Sequence, residues 1–404
     1  MRGHLEPRIW PAAPDQYGPP RYRRACEYST YIPEPLEGLE LSLTSDTATT
    51  ISDAERAIAA LNAGTQPELG PLARLLLRTE SIASSKVEGL QVDARSLARA
   101  EAAQDLGQRI GPQATDVLAN VEAMLYAIET AATSDSIGLD DFLSIHRVLL
   151  EASANASIAG RFRRSQNWIA GNDYNPCGAD FVPPPHELVE ELLIDLSLFC
   201  NNDSLPPLVQ AGIAHAQFET IHPFEDGNGR TGRALIQVIL RRRKLAPAFV
   251  PPISVVLAAH KDQYIGGLTL YRADQIGEWL ETFATSAARA AGLASGYIDR
   301  VGQLQAQWRD QLNETSSPRS DAAVWAIIQD LPAHPVMTIP VAVALTGRTR
   351  PAVRNAISEL VKAKVLIPVS DSARNRSWEA AGLLDLIEGL ESARELPARG
   401  AKTR

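Results

Sequence analysis

Residues 221–233 read Ile221-His222-Pro223-Phe224-Glu225-Asp226-Gly227-Asn228-Gly229-Arg230-Thr231-Gly232-Arg233. A titratable imidazole, a carboxylate, closely spaced glycines and two arginines fall within this one stretch. The apolar run Ala234–Leu240 follows at once and reads as a buried helix, so the loop feeds a helix N-terminus. Gly227 and Gly229 let the backbone turn where a side chain would clash, so that successive N–H groups converge on one anion. The helix dipole adds positive potential at the same spot. Arg230 and Arg233, three apart, share a helix face above that cradle. Asp226 offers the oxygen ligand that Mg²⁺ takes beside phosphates. His222 titrates near neutrality, as suits a general base. The stretch predicts a nucleotide polyphosphate site with a base beside it.

His222, Phe224, Asp226, Gly227, Asn228, Gly229, Arg230 and Arg233 match the pattern H-x-F-x-[D/E]-G-N-G-R-x-x-R without a gap, and here the chain resembles the Fic (Fic/DOC) family. That resemblance implies a mainly all-α fold, a Fic helical core with a β-hairpin flap, and an activity that transfers the AMP part of ATP to a protein hydroxyl. It also implies a role for each residue. His222 deprotonates the target hydroxyl, and Phe224 anchors the loop. Asp226 binds Mg²⁺ (or Mn²⁺) bridging the α- and β-phosphates. Gly227, Asn228 and Gly229 hold the phosphates, with Arg230 on the β- and Arg233 on the γ-phosphate.

Upstream, Ser84-x-x-x-Glu88-Gly89 resembles the family's inhibitory motif [S/T]-x-x-x-E-[G/N]. On one helix Ser84 and Glu88 lie a turn apart on the same side, and Gly89 suits a left-handed helix end. By resemblance Glu88 pairs with Arg233 and takes the space the γ-phosphate needs, so the site is off by default. Gln166–Ile169 and Asp180–Val182 read as two short strands around the turn-rich Gly171–Pro176. They resemble the Fic flap at 166–182, which adds a target segment as an extra strand beside the base. Tyr264 falls where the family walls the nucleobase. His146 and His215, on apolar helical faces, read as core histidines. Arg161 and Arg163 read equally well as solvated or as capping groups.

The 404 residues carry a net charge of −9, 45% hydrophobic and 22% charged positions. This is ordinary globular composition with length for two or three domains. The acidic balance argues against a protein built to coat nucleic acid or anionic membrane. The three cysteines, Cys26, Cys177 and Cys200, show no disulfide framework or zinc spacing. With no signal-peptide core and no membrane-length apolar run, a cytoplasmic protein is expected. Residues 1 to about 48, rich in proline and aromatics, predict an extended arm packed on the main domain. Helical periodicity is expected from Ser52, with Asp53 as a cap.

From about Arg319 the texture changes. Helices around Val324–Ile328, Ile339–Leu345 and Arg350–Val361, then strands at Leu366–Val369 and Arg374–Glu379, resemble a winged helix-turn-helix. Residues 319–404 hold 12 Lys and Arg against 9 Asp and Glu. Arg348, Arg350 and Arg354 sit where a recognition helix meets phosphates. The expected organisation is an arm and inhibitory-helix region over 1–110, a Fic catalytic core over 111–300 and a winged-helix-like module over 319–390. ATP and a hydroxyl-bearing target protein (or the chain itself) are the expected partners. A homodimer and DNA contact through 319–390 stay open, as do removal of AMP by the same site and a nucleotide-sensing DNA-binding regulator.

Overall fold

The N-terminal arm is a paired element. β1 (Gly3–Trp10) and β2 (Cys26–Pro33) run antiparallel, with Gly3 opposite Pro33 and Trp10 opposite Cys26. Pro7 is tolerated because a two-stranded sheet has only edge strands. The computed structural model describes residues 2–15, 17–63, 70–369 and 376–393. Cys26, at the start of β2, forms a disulfide with Cys177. This corrects the expectation drawn from cysteine spacing. The partners are 151 positions apart and only the fold brings them together. The cysteines therefore no longer argue for a reducing compartment. Cys200 remains a free thiol, and burial pushes it up to about 12, which makes it inert.

Helices follow in the order α1 (Ser45–Asn62), α2 (Gly70–Val87), α3 (Ala94–Asp105), α4 (Pro112–Glu129), α5 (Leu139–Leu150), α6 (Val189–Cys200), α7 (Pro207–Ile221) and α8 (Asn228–Arg242). Next come α9 (Ile253–Ala259), α10 (Lys261–Arg272), the long α11 (Ile276–Thr315) and α12 (Ala323–Asp330). The rest is β3 (Val336–Thr338), α13 (Ile339–Thr346), α14 (Arg350–Lys362), β4 (Leu366–Pro368), β5 (Ser377–Ala380) and α15 (Leu383–Glu391). α1 starts seven residues before the expected Ser52. Its first turn is capped by Thr44, whose hydroxyl accepts from the Thr47 N–H at 3.1 Å, and Asp53 lies inside the helix.

The chain divides into two compact units, each assembled from three stretches. The first comprises Met1–Glu55, Tyr126–Lys244 and Lys261–Thr285. Its centre is α7 against α8, both buried almost throughout, with polar and charged side chains such as Gln217, Glu219, Arg230 and Arg233 among the buried residues. Phe142 from α5 and Phe218 from α7 close the packing around Phe224. The hairpin joins this unit through its backbone, with the Tyr31 N–H donating to the Val182 carbonyl at 2.9 Å.

The second unit comprises Arg56–Leu125, Leu245–His260 and Ser286–Arg404. Within it α2 packs on α9, and the fully buried Glu80 caps α9 by accepting from the Ser254 N–H (2.8 Å) and hydroxyl (2.6 Å). The C-terminal sheet has strand order β3-β5-β4, all antiparallel, beside the α13–α14 pair. Lys86 of α2 pairs with Glu391 of α15 at 2.8 Å. Arg95 of α3 holds Glu388 at 3.0 Å and also Glu379 and Asp385. The expected strand start at Arg374–Asn375 lies outside the described residues.

Candidate active site

His222 ends α7. Its φ of 50° and ψ of 60° are left-handed, and its N–H closes the last turn on the Phe218 carbonyl at 2.9 Å. A non-glycine residue there is strained unless its surroundings hold it, and four side chains do. Arg163 Nε donates to the His222 carbonyl (2.9 Å), and its other nitrogens donate to the carbonyls of Ser165 (3.0 Å), Pro184 and Ile221 (3.4 Å). Asn167 Nδ2 donates to Phe224 O (2.9 Å) and His222 O (3.3 Å). Asn228 bridges the loop, accepting from the Phe224 N–H and donating to the Phe224 carbonyl, both at 2.8 Å.

The fourth holder is His146. Its Nδ1 accepts from the Gly160 N–H at 3.0 Å, which leaves the proton on Nε2 to donate to the Asp226 carbonyl at 3.0 Å. Its ring stacks on Phe224 with centroids 3.7 Å apart. Burial lowers this imidazole to about 4, so it is neutral at pH 7 and serves as a strut.

Gly227 (φ 78°) precedes α8 and turns the backbone into the helix N-terminus. Asn228, Gly229, Arg230, Thr231 and Arg233 are all buried. Arg230 Nε and Thr231 Oγ1 are buried with no hydrogen-bond partner among the described residues. These donors sit in the first turn of a helix, where an anion is favoured. Asp226 is half-exposed. One of its oxygens accepts from the Gly227 N–H (2.7 Å) and lies 3.5 Å from Arg230, and the other accepts from Asn155 (2.8 Å). Among the described residues no group of three or more His, Cys, Asp or Glu is placed to cage a metal. A lone carboxylate beside a phosphate cradle suits Mg²⁺, which keeps waters and binds through one or two carboxylates and substrate phosphates.

Tyr264 is buried, and its hydroxyl lies 2.9 Å from His215 Nε2 with the two rings stacked at 5.9 Å. His215 is fully buried and pulled down to about 3, chiefly by burial and then by the Arg233 charge. Ser84, Glu88 and Gly89 belong to the second unit. Ser84 is buried in α2, Glu88 follows the last helical residue and is exposed, and Gly89 is left-handed at φ 89°.

The flap is shorter than its sequence suggests. A single bridge joins Ile169 to Phe181. Ala170 (φ 61°) and Gly171 (φ 82°) turn the chain away on one side, and the N–H-less Pro183-Pro184-Pro185 ends pairing on the other. The arm holds the flap tip through Cys26–Cys177, the stacked Tyr22–Tyr174 pair and the edge contact of Trp10 with Trp168. Sequence reasoning missed Asn155, which sits in a loop without a motif, and gave Asn167, inside the expected flap strand, no role of its own. It left Arg163 undecided because burial is invisible in a loop.

A helical core in which a histidine-ended helix, a glycine turn and an arginine-bearing helix meet is the architecture of Fic/DOC domains. Residues 136–240 match the model described as Fic/DOC family, and residues 48–129 match the one described as Fic/DOC family N-terminal. The chain thus carries a Fic/DOC domain over 136–240, preceded by a Fic/DOC N-terminal segment over 48–129. "Protein adenylyltransferase fic-1" of Caenorhabditis elegans is 36% identical over 120 residues, 29% of this chain and 22% of that protein. "Protein adenylyltransferase Fic" of Nematostella vectensis is 35% identical over 153 residues, 37% of this chain and 32% of that protein. A Fic family protein from Desulfovibrio desulfuricans G20 shares the fold at TM-score 0.53 and 21% identity, covering 85% of this chain and 98% of that one. A fragment of C. elegans Fic-1 does so at TM-score 0.51 and 20% identity, covering 63% and 74%. The matched stretch spans only 22–40% of the C. elegans, N. vectensis and Aedes aegypti relatives. No helix among the described residues is long and apolar enough to cross a membrane.

Proposed function

We propose that this chain is an autoinhibited protein adenylyltransferase that moves AMP from ATP to a hydroxyl of a target protein or of itself. The observation that carries this reading is the His222–Arg233 loop. It combines a base candidate held in a strained conformation with buried, unpartnered donors Arg230 Nε and Thr231 Oγ1 at a helix N-terminus. The similarity to proteins named adenylyltransferases supports it. In the proposed reaction His222 takes the hydroxyl proton as that oxygen attacks the α-phosphorus, and diphosphate leaves with the electrons of the broken P–O bond. Arg230 and Arg233 neutralise charge on the β- and γ-phosphates, and the amides of Gly227–Gly229 orient them. Bound Mg²⁺ or Mn²⁺, held by Asp226, would supply charge neutralisation between phosphates. Tyr264 would back the nucleobase pocket, and the flap at 166–182 would take the target segment.

Regulation follows from the 48–129 segment. Ser84, Glu88 and Gly89 form the proposed inhibitory motif, with Glu88 competing with the γ-phosphate for Arg233. The proposed organisation is 1–110 for the arm and inhibitory region, 111–300 for the catalytic core and 319–390 for a winged-helix-like module. The order of α12, β3, α13, α14, β4 and β5, with β5 central in the sheet, supports the last of these. Intact-mass analysis after incubation with ATP and Mg²⁺ tests the whole reading. Glu88→Gly should label at least 10-fold faster than wild type, and Glu88→Gly with His222→Ala should not label. Labelling that survives His222→Ala removes the base assignment. Equal rates in wild type and Glu88→Gly remove autoinhibition.

A further inference from the structure

Glu219 breaks two rules at once. It lies in the last turn of α7, where the helix dipole disfavours a negative charge, and only 7% of it is exposed. A carboxylate is buried at such a cost only where something specific uses its charge. The geometry shows what surrounds it. Glu219 Oε2 lies 3.9 Å from His222 Nδ1, one helical turn further on. On its other side is Gly232, in α8 between the two phosphate-facing arginines. A Cβ at Gly232 would stand 2.9 Å from Glu219 Oε1, 3.1 Å from Phe218 and 3.2 Å from His215 Nδ1. The missing side chain at Gly232 is the room the carboxylate occupies.

The other charged groups near this carboxylate belong to different elements. Arg272 of α10 is partly buried and interacts electrostatically with Glu219. His215, one turn before Glu219 on α7, is neutral at pH 7, and Arg233 of α8 acts on that ring.

We infer that Glu219 is the positioning residue for His222. Its carboxylate orients the imidazole through Nδ1, fixes the proton on that nitrogen and leaves Nε2 as the base. At 3.9 Å the pair is within ion-pair range but long for a hydrogen bond, a separation common in unliganded sites whose bonds tighten when substrate binds. The logic is that of a serine hydrolase triad, in which a buried carboxylate selects the tautomer and stabilises the imidazolium formed in the reaction. When Nε2 accepts the hydroxyl proton, the positive charge on the ring is met by Glu219, and no atom beyond those of the proposed transfer is required. The inference rests on the adenylyltransferase reading for its kinetic consequence and on the geometry alone for the tautomer.

Two measurements separate those dependencies. The first uses the full chain labelled with ¹⁵N-histidine, without nucleotide, and assigns His222 by its disappearance in His222→Ala. The neutral ring of the wild type should be the Nδ1–H tautomer, and the near-isosteric Glu219→Gln should shift it toward the Nε2–H form. A wild-type Nε2–H tautomer, or spectra unchanged by Glu219→Gln, overturns the inference whatever the enzyme does. The second compares transfer from ATP in Glu88→Gly with and without Glu219→Gln. The turnover rate should fall about 100-fold, with KM for ATP within about twofold. An unchanged rate, or a loss that appears only in KM, refutes the positioning role. If Glu88→Gly transfers no nucleotide at all, the proposed function fails while the tautomer experiment still decides Glu219. Glu219→Asp, which keeps the charge on a shorter arm, should recover part of the rate. A purely packing role predicts no such recovery.

Discussion

Replacing Arg163 by methionine should destabilise the protein and disarm the loop together. Arg163 is 2% exposed, and its guanidinium donates to four backbone carbonyls, those of Ser165, Pro184, Ile221 and His222. Each buried carbonyl left without a donor costs about 1–3 kcal/mol. Removing the cation offsets part of that loss, because burial already pulls the guanidinium down to about 10, a sign of its desolvation. The net destabilisation is then about 3–4 kcal/mol, or roughly 10 °C in melting temperature for a unit of this size. Thermal melts followed by circular dichroism measure it directly. Arg163→Lys keeps the charge without the fork and should fall between the two. Because the His222 carbonyl then keeps only the longer 3.3 Å bond from Asn167, the left-handed turn should relax, and the proposed transfer should drop even at temperatures where the variant is folded. A methionine variant that melts within about 2 °C of wild type, or that transfers AMP normally, would refute Arg163 as the clamp on the loop.

Two other predictions concern pH and the arm. His146 and His215 are lowered by burial to about 4 and about 3, against about 6.5 in an unfolded chain, so the unfolded state binds more protons as pH falls. Their contribution is therefore complete above about pH 6.5 and is lost on acidification toward those lower values. Each contributes a slope of up to about 1.4 kcal/mol per pH unit. Denaturant midpoints between pH 7 and pH 4 should fall, and His146→Asn should shallow the slope by about one proton. For the arm, thiol titration of the denatured, unreduced chain should find Cys200 alone, with Cys26 and Cys177 reactive only after reduction. Cys26→Ser should cost about 2–5 kcal/mol, given the long loop that the bridge closes. Three reactive thiols before reduction would remove the bridge.

The active loop was legible because its chemistry is local. Base, carboxylate, glycine turn and arginines lie within one turn and one helix start, so spacing alone fixes which groups converge. Helix α14 was legible for the same reason, since its apolar face repeats every few residues. Two residues that the structure adds, Arg163 and Asn167, act by donating to loop carbonyls some 55–60 positions away. A long-range contact of that kind leaves no periodicity. The arm shows the same limit. Proline and tyrosine content predicted an extended chain, but the register of β1 on β2 and the Cys26–Cys177 bridge depend on where the flap tip lies. Asp53 read as a cap because aspartate favours that position, and Thr44 took the role because the turn closed earlier.

The local order of residues 221–233 was enough to show the Fic/DOC signature and to place a histidine, a carboxylate, a glycine turn and two arginines side by side. Only the tertiary structure decided what holds that loop in a strained turn and which carboxylate faces the histidine. The reason is physical. Reactive groups must be close, and the sequence brought these together in one short loop. The forces that tune them are burial and hydrogen bonding between distant segments, and those exist only once the chain has folded.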